Sequence, residues 1–202
     1  MDQLPTIPVL PFALRWLSEP GRSSVPNGAA LVLEAGPRTD WFADPGGVAE
    51  AVTNAPALVG EVRGDFLLGA HVTVEFAGSF DAGVLVLRAD ERTWAKLCFE
   101  YSPQRQPMIV SVVTQGFSDD SNAYVIAGNQ TFLRIARLGR AFAFHASEDG
   151  AYWQLIRHFT LEPAAQLAAG FVAQSPTGAG CTATFAEIVY TPERLADLRS
   201  GV

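Results

Sequence analysis

Along most of the chain, apolar and polar side chains alternate with a period of two. Phe66, Leu68, Ala70, Val72, Val74 and Phe76 share one face; Leu67, Gly69, His71, Thr73 and Glu75 share the other. That alternation predicts a strand with one face on a core. Similar segments recur as "DAGVLVLRA", "WAKLCFEY", "MIVSVVTQG", "QTFLRIARL", "AFAFHAS", "WQLIRHFTL", "AGFVAQS" and "ATFAEIVY", with "FALRWLSE" and "ALVLEAG" nearer the N-terminus. Gly, Pro, Asp, Asn and Ser separate them. Helical periodicity is confined to two places. Pro45–Val52 reads as a short helical turn. "TPERLADLR" reads as a helix with Thr191 as N-cap, Pro192 at its first position and Leu195/Leu198 as an apolar pair. The pattern predicts an all-β fold: an antiparallel β-sandwich or jelly roll with a short C-terminal helix, one domain over residues 1–202.

One hairpin register can be argued. Ser102–Pro107 ("SPQRQP") is a breaker-rich segment between two strands. Placing Tyr101 opposite Met108 sets Phe99 against Val110 and Leu97 against Val112, three core pairs. The other face then carries Lys96, Cys98 and Glu100 beside Ile109, Ser111 and Val113. A face mixing Trp94, Lys96, Glu100 and Ser111 is either a solvated face or the lining of a shallow groove. Asp149-Gly150 in "SEDGAYW" is a hairpin-turn signal, with Trp153 leading into the next strand.

Composition narrows the function classes. Hydrophobic residues make up 49% and charged residues 17%, enough for a filled core and too apolar for a disordered chain. The net charge of -7 argues against nucleic acid or an anionic membrane as partner. Two cysteines, Cys98 and Cys181, are too few for the disulfide framework of a secreted domain. No Cys/His spacing suggests zinc. Pro5, Pro8 and Pro11 interrupt the N-terminal apolar run, which also lacks a basic start, so it does not read as a signal peptide. A cytoplasmic location is the expectation.

"KLCFEYSP", followed by "PMIVSVVTQGFSDDSNA", resembles the signature of an uncharacterised family often labelled regulation-of-enolase-like. "TDWF" (Thr39–Phe42) and the stretch Leu133–Leu161 agree with it, so the resemblance runs from about Trp16 to Tyr190. It implies a concanavalin A-like lectin/glucanase sandwich, a class that includes sugar-binding modules and accessory domains of glycosidases. It implies no reaction, because fold does not fix function.

Glycoside hydrolysis needs two carboxylates about 5 Å or about 6.5–9.5 Å apart. The alternating acids that glucanases of this fold carry along one strand, Glu-x-Asp-x-x-Glu, are missing. Glu75 and Glu100 lie on separate strands, and adjacent Asp119 and Asp120 on a strand would face opposite ways. A sugar-binding groove asks for an aromatic platform with fixed polar partners. The candidates are Asp40, Trp41, His71, Glu75, Lys96, Glu100, Ser111 and Arg134. Trp41 reads either as a platform or as a core plug. Lys96, in a strand otherwise made of core residues, must reach water or an acid such as Glu100 or Glu75. Ser118–Asn122 reads as a loop, with ligand contact or calcium as the sharper alternatives. The expectation is a carbohydrate- or small-polar-ligand-binding sandwich with no metal and no cofactor. The alternatives are a glycosidase-like hydrolase, or a non-catalytic regulator of a metabolic enzyme through protein contact, as the resemblance implies. No oligomeric state is assigned.

Overall fold

The period-two segments fold as strands, and a computed structural model describes residues 4–19, 22–162 and 166–202. In chain order the strands begin with β1 (Leu14–Ser18), β2 (Arg22–Ser24), β3 (Ala30–Ala35), β4 (Trp41–Phe42), β5 (Val52–Thr53) and β6 (Ala57–Val62). There follow β7 (Phe66–Glu75), β8 (Ala82–Arg88), β9 (Thr93–Tyr101), β10 (Pro107–Gln115) and β11 (Phe117–Val125). The last are β12 (Gln130–Leu138), β13 (Ala141–Ser147), β14 (Gln154–Thr160), β15 (Leu167–Gln174) and β16 (Cys181–Thr191). Two seven-stranded antiparallel sheets form a sandwich. The first runs β1-β6-β15-β8-β9-β10-β11, the second β14-β13-β12-β7-β16-β3-β2, and β4-β5 is a separate small ribbon.

The main core lies between the sheets. Phe66, Leu68 and Val72 of β7 and Phe185 of β16 meet Leu85, Leu97, Phe99 and Phe171 of the first sheet. The first sheet is apolar on its outer face too. Val84, Val86, Cys98, Val110, Val112 and Val172 are buried there beneath Trp41 and Ala55 of the β4–β5 region. Hence β8, β9 and β15 read as continuous apolar runs: both faces are covered.

Gly83 marks a close approach of the sheets. A Cβ there would come within 2.6 Å of Val72 Cγ1 and 3.0 Å of Val74 Cγ2. Gly83→Ala is therefore expected to lower stability by about 1–3 kcal/mol, the usual cost of overpacking, measured by urea unfolding. A variant as stable as the parent would show that the sheets can part there freely.

Three expectations need correction. The β9–β10 register is shifted: Phe99 pairs with Ile109, Cys98 with Val110 and Leu97 with Ser111. Pro107 is not part of the turn but the first residue of β10, opposite Tyr101. The turn is closed instead by Ser102, whose carbonyl accepts from Arg105 N and whose hydroxyl accepts from Gln106 N. The predicted C-terminal helix is absent, with Thr191 ending β16. Leu195 and Leu198 pack on Ala136, Ala143 and Leu155 as an irregular tail crossing the second sheet. The backbone folds onto Asp197, whose carbonyl accepts from Gly201 N and Val202 N. Pro45–Val52 is likewise no helix: the Asp44 carboxylate takes the amides of Gly46, Val48 and Ala49 in a local turn. Among the described residues, no helix is long and apolar enough to cross a membrane.

Candidate ligand-binding site

Even-numbered residues of β9 point to the outer face of the first sheet, where Lys96 is only 2% exposed. A buried ammonium needs an anion and hydrogen-bond acceptors. Lys96 Nζ lies 3.3 Å from Asp40 Oδ1 and donates to Gln174 Oε1 at 3.0 Å. Burial alone would pull the Lys96 pKa down, but Asp40 and the neighbouring acidic groups outweigh it and hold it above its ordinary value. Each partner is itself positioned. Asp40 Oδ1 also accepts from Trp41 N, and Asn54 Oδ1 accepts from Asp40 N. Gln174 Nε2 donates to Phe80 O. The segment after Gln174 is tied down where Ser175 Oγ donates to Asp81 Oδ1 at 2.6 Å.

Strand pairing sets the remaining groups around this ion pair. Val86, Lys96, Val112 and Asp120 form one row across β8–β11. Gln174, Ala82, Glu100 and Met108 form another across β15–β10. Between them lies a pocket of about 350 Å³ with Val110 and Val112 as an apolar floor, Phe42, Phe80 and Pro176 along its walls, and Asp40, Lys96, Glu100, Asp120 and Gln174 as polar groups. Small-ligand sites typically enclose about 300–1,000 Å³. Burial pushes the Glu100 carboxyl up to about 8, with Asp120 and Asp40 adding to the rise and Lys96 opposing it. Asp120, exposed on edge strand β11 at the pocket rim, is raised as well by partial desolvation, with Lys96 and the Ser121 amide opposing the rise.

The structure thus brings Asp40, Lys96 and Glu100 together and scatters the other sequence candidates. Trp41 is the core plug. It is buried edge-on to Trp94 at 5.8 Å, and its indole Nε1 donates to Ala55 O. Ser111 faces the interior opposite Leu97, a consequence of the shifted register. His71, Glu75 and Arg134 belong to the second sheet. His71 stacks on Phe132 and lies 3.6 Å from Glu187. Arg134 stacks on Trp153 and donates to Gly201 O. Glu75 therefore cannot serve as a carboxylate partner for Glu100 or Lys96. Ser118–Asn122 is not a loop but the middle of edge strand β11. Ser118 Oγ accepts from Ala43 N, fastening the segment after β4 to the sheet, and Asp120 reaches the pocket. Among the described residues, no three His, Cys, Asp or Glu side chains gather as a metal site.

Phe42, Phe80 and Gln174 were not among the sequence candidates, and Asp120 entered only as part of the supposed loop Ser118–Asn122. Phe42 follows Trp41, and adjacent strand residues face opposite ways, so a buried Trp41 turns Phe42 outward. A lone Gln ending the apolar run "LAAGFVAQ" was the available signal for Gln174. Phe80 had none: it sits at φ +69 in the turn before β8.

Residues 16–193 match the family described as "Protein of unknown function (DUF1349)". The chain belongs to this family. The DUF1349 protein also resembles solved structures. A functionally unknown protein from Saccharomyces cerevisiae superposes with a TM-score of 0.80 at 24% identity, over 88% of this chain and 95% of that one. The GH43 protein BlXynB from Bacillus licheniformis gives 0.68 at 17% identity, over 89% of this chain. The DUF1349 chain spans only 37% of that glycoside hydrolase. An alginate lyase from Alteromonas sp. 272 gives 0.59 at 12% identity, over 87% and 93% of the two chains. These likenesses show a shared fold. No curated protein matches the sequence.

Proposed function

We propose that this DUF1349 sandwich binds a carbohydrate, or a small ligand of similar hydroxyl density, in the pocket around Lys96. The observation that carries the reading is one arrangement: a fixed ammonium–carboxylate–amide triad next to two further carboxyls, over an apolar floor and between aromatic walls. A sugar offers both halves of the match, hydroxyls for the polar groups and a C–H face for Phe42 or Phe80. Lys96 uses two of its three N–H donors on Asp40 and Gln174, which leaves one for a ligand oxygen. Structural likeness to proteins described as a GH43 enzyme and an alginate lyase supports a saccharide over other polar ligands.

The test is an NMR titration of the labelled protein with a panel of neutral mono- and oligosaccharides. Shifts are expected at Phe42, Phe80 and Val112. Lys96→Met and Phe42→Ala, each checked for folding by circular dichroism, are expected to weaken binding by about tenfold or more, the worth of one good contact of about 1.4 kcal/mol. Silence across the panel, or shifts confined to the second sheet, would sink the proposal.

A further inference from the structure

The pocket holds more acid than base. Asp40, Glu100 and Asp120 surround a single cationic side chain, Lys96, and Lys96 is already engaged with Asp40 and Gln174. Among the described residues, Glu100 and Asp120 take part in no ion pair and accept no side-chain hydrogen bond. Arg157, whose charge also reaches Asp120, is turned to Asp119, with Nη2 at 2.8 Å from its carboxylate and Nη1 donating to its carbonyl. Glu100 is partly buried, so solvent substitutes poorly for a missing partner.

Resting on the saccharide reading above, we propose that the preferred ligand carries its own positive charge: an amino sugar whose ammonium fills the space between Glu100 and Asp120. Its hydroxyls then meet the free N–H of Lys96 and the side chain of Gln174, and its C–H face covers Val110 and Val112. The polar groups are ordered across the sheet, with Gln174 on β15 at one side, Lys96 and Glu100 on β9 between, and Asp120 on β11 at the other side. A ligand with an ammonium on one side and hydroxyl oxygens on the other matches that polarity. A uronic acid does not: its carboxylate would face Asp40, Glu100 and Asp120 with only the one remaining Lys96 N–H to set against them.

The charge state of the pocket agrees. Glu100 faces Lys96 on its own strand, Asp120 on β11 and Asp40 before β4, and it titrates near 8 because burial and those two acids oppose its ionisation. A bound ammonium reverses the balance, so binding near neutral pH releases a proton from Glu100.

Glucosamine, glucose and glucuronate are compared by NMR titration at a pH where the amine is protonated. The expected order is glucosamine above glucose by about tenfold, from one added charge contact of about 1.4 kcal/mol, with glucuronate not binding. Glu100→Gln and Asp120→Asn are each expected to narrow the gap between glucosamine and glucose. Calorimetry of glucosamine in buffers of different ionisation enthalpy is expected to show proton release, absent in Glu100→Gln. Glucose binding as tightly as glucosamine, glucuronate binding at the same residues, or a gap unchanged in both variants would overturn the inference while leaving the saccharide reading standing. No shift with any of the three sugars would overturn both.

Discussion

Asp40→Asn is expected to cost about 3 kcal/mol of stability, more than Lys96→Met, and the double variant should recover most of that loss. The asymmetry comes from burial. The Lys96 side chain is 3% exposed and that of Asp40 is 23% exposed. Removing Asp40's charge leaves a nearly buried ammonium at the base of the pocket with only the Gln174 amide oxygen as a protein partner. Uncompensated buried charges of this kind cost about 3–5 kcal/mol. Removing Lys96 leaves a carboxylate that still reaches water and still accepts from Trp41 N. Methionine in its place meets Val86, Val112 and Trp94, which suit it. Urea unfolding of the four proteins gives a complete cycle. Equal losses in the two single variants, with no recovery in the double, would show that the pair is not coupled through burial.

The second large effect is a loss of stability on acidification, centred on His145. His145 is fully buried on β13, and its Nε2–H donates to Leu198 O at 2.8 Å. Nδ1, the unprotonated nitrogen, is buried with no hydrogen-bond partner among the described residues. Burial pulls its pKa from 6.5 down to about 4, partly countered by the Leu198 bond, with Arg134 adding to the fall. The unfolded chain therefore binds a proton that the folded chain refuses between these values. The stabilisation is complete above about 6.5 and is lost as pH falls toward 4, by roughly 2–3 kcal/mol. His145→Gln removes the titrating group while keeping a donor for Leu198 O. Its stability should rise relative to the parent's as the pH falls across that window, the opposite linkage of Glu100 being common to both proteins, read by denaturant unfolding at several pH values. Parallel pH curves would refute the assignment. Because Leu198 belongs to the tail across the second sheet, the C-terminal residues should also lose amide protection first as the pH drops.

What the sequence conveyed, and what it withheld, follow from how local each signal is. Alternation in "GDFLLGAHVTVEF" is carried by every residue, so the β7 boundaries and faces could be read directly. Lys96 and Glu100 share a strand, and their common face follows from spacing alone. Asp40 was a candidate, but its contact with Lys96 depends on the ribbon β4–β5 folding over the sheet, which no periodicity encodes. Ser111 was misplaced because Pro107 was taken for a breaker. A proline can open a strand where its missing N–H has no partner to lose, and one residue of slip reverses every side chain. Ser118–Asn122 looked like a loop because Ser, Asp and Asn are poor strand formers. At a sheet edge those residues are tolerated, and exposed acids discourage pairing with another chain. The "TPERLADLR" signal met every local rule for a helix start. Packing of Leu195 and Leu198 on the second sheet, with the bonds from Arg134 and His145, outweighed it.

The strand order has a consequence for how the chain is made. β15 lies between β6 and β8 in the first sheet, and β16 lies between β7 and β3 in the second. Both gaps are filled by the last two of the described strands. Until they emerge, β6, β8, β3 and β7 each lack a neighbour, and the apolar runs of the growing chain have no complete face to bury. Neither sheet can finish early as an independent unit, so folding must wait until β16 is made and then close both sheets together. Long-range antiparallel closure of this kind is slow. During that interval the nascent protein presents open β-edges, which makes it a natural client for chaperones that cover such surfaces.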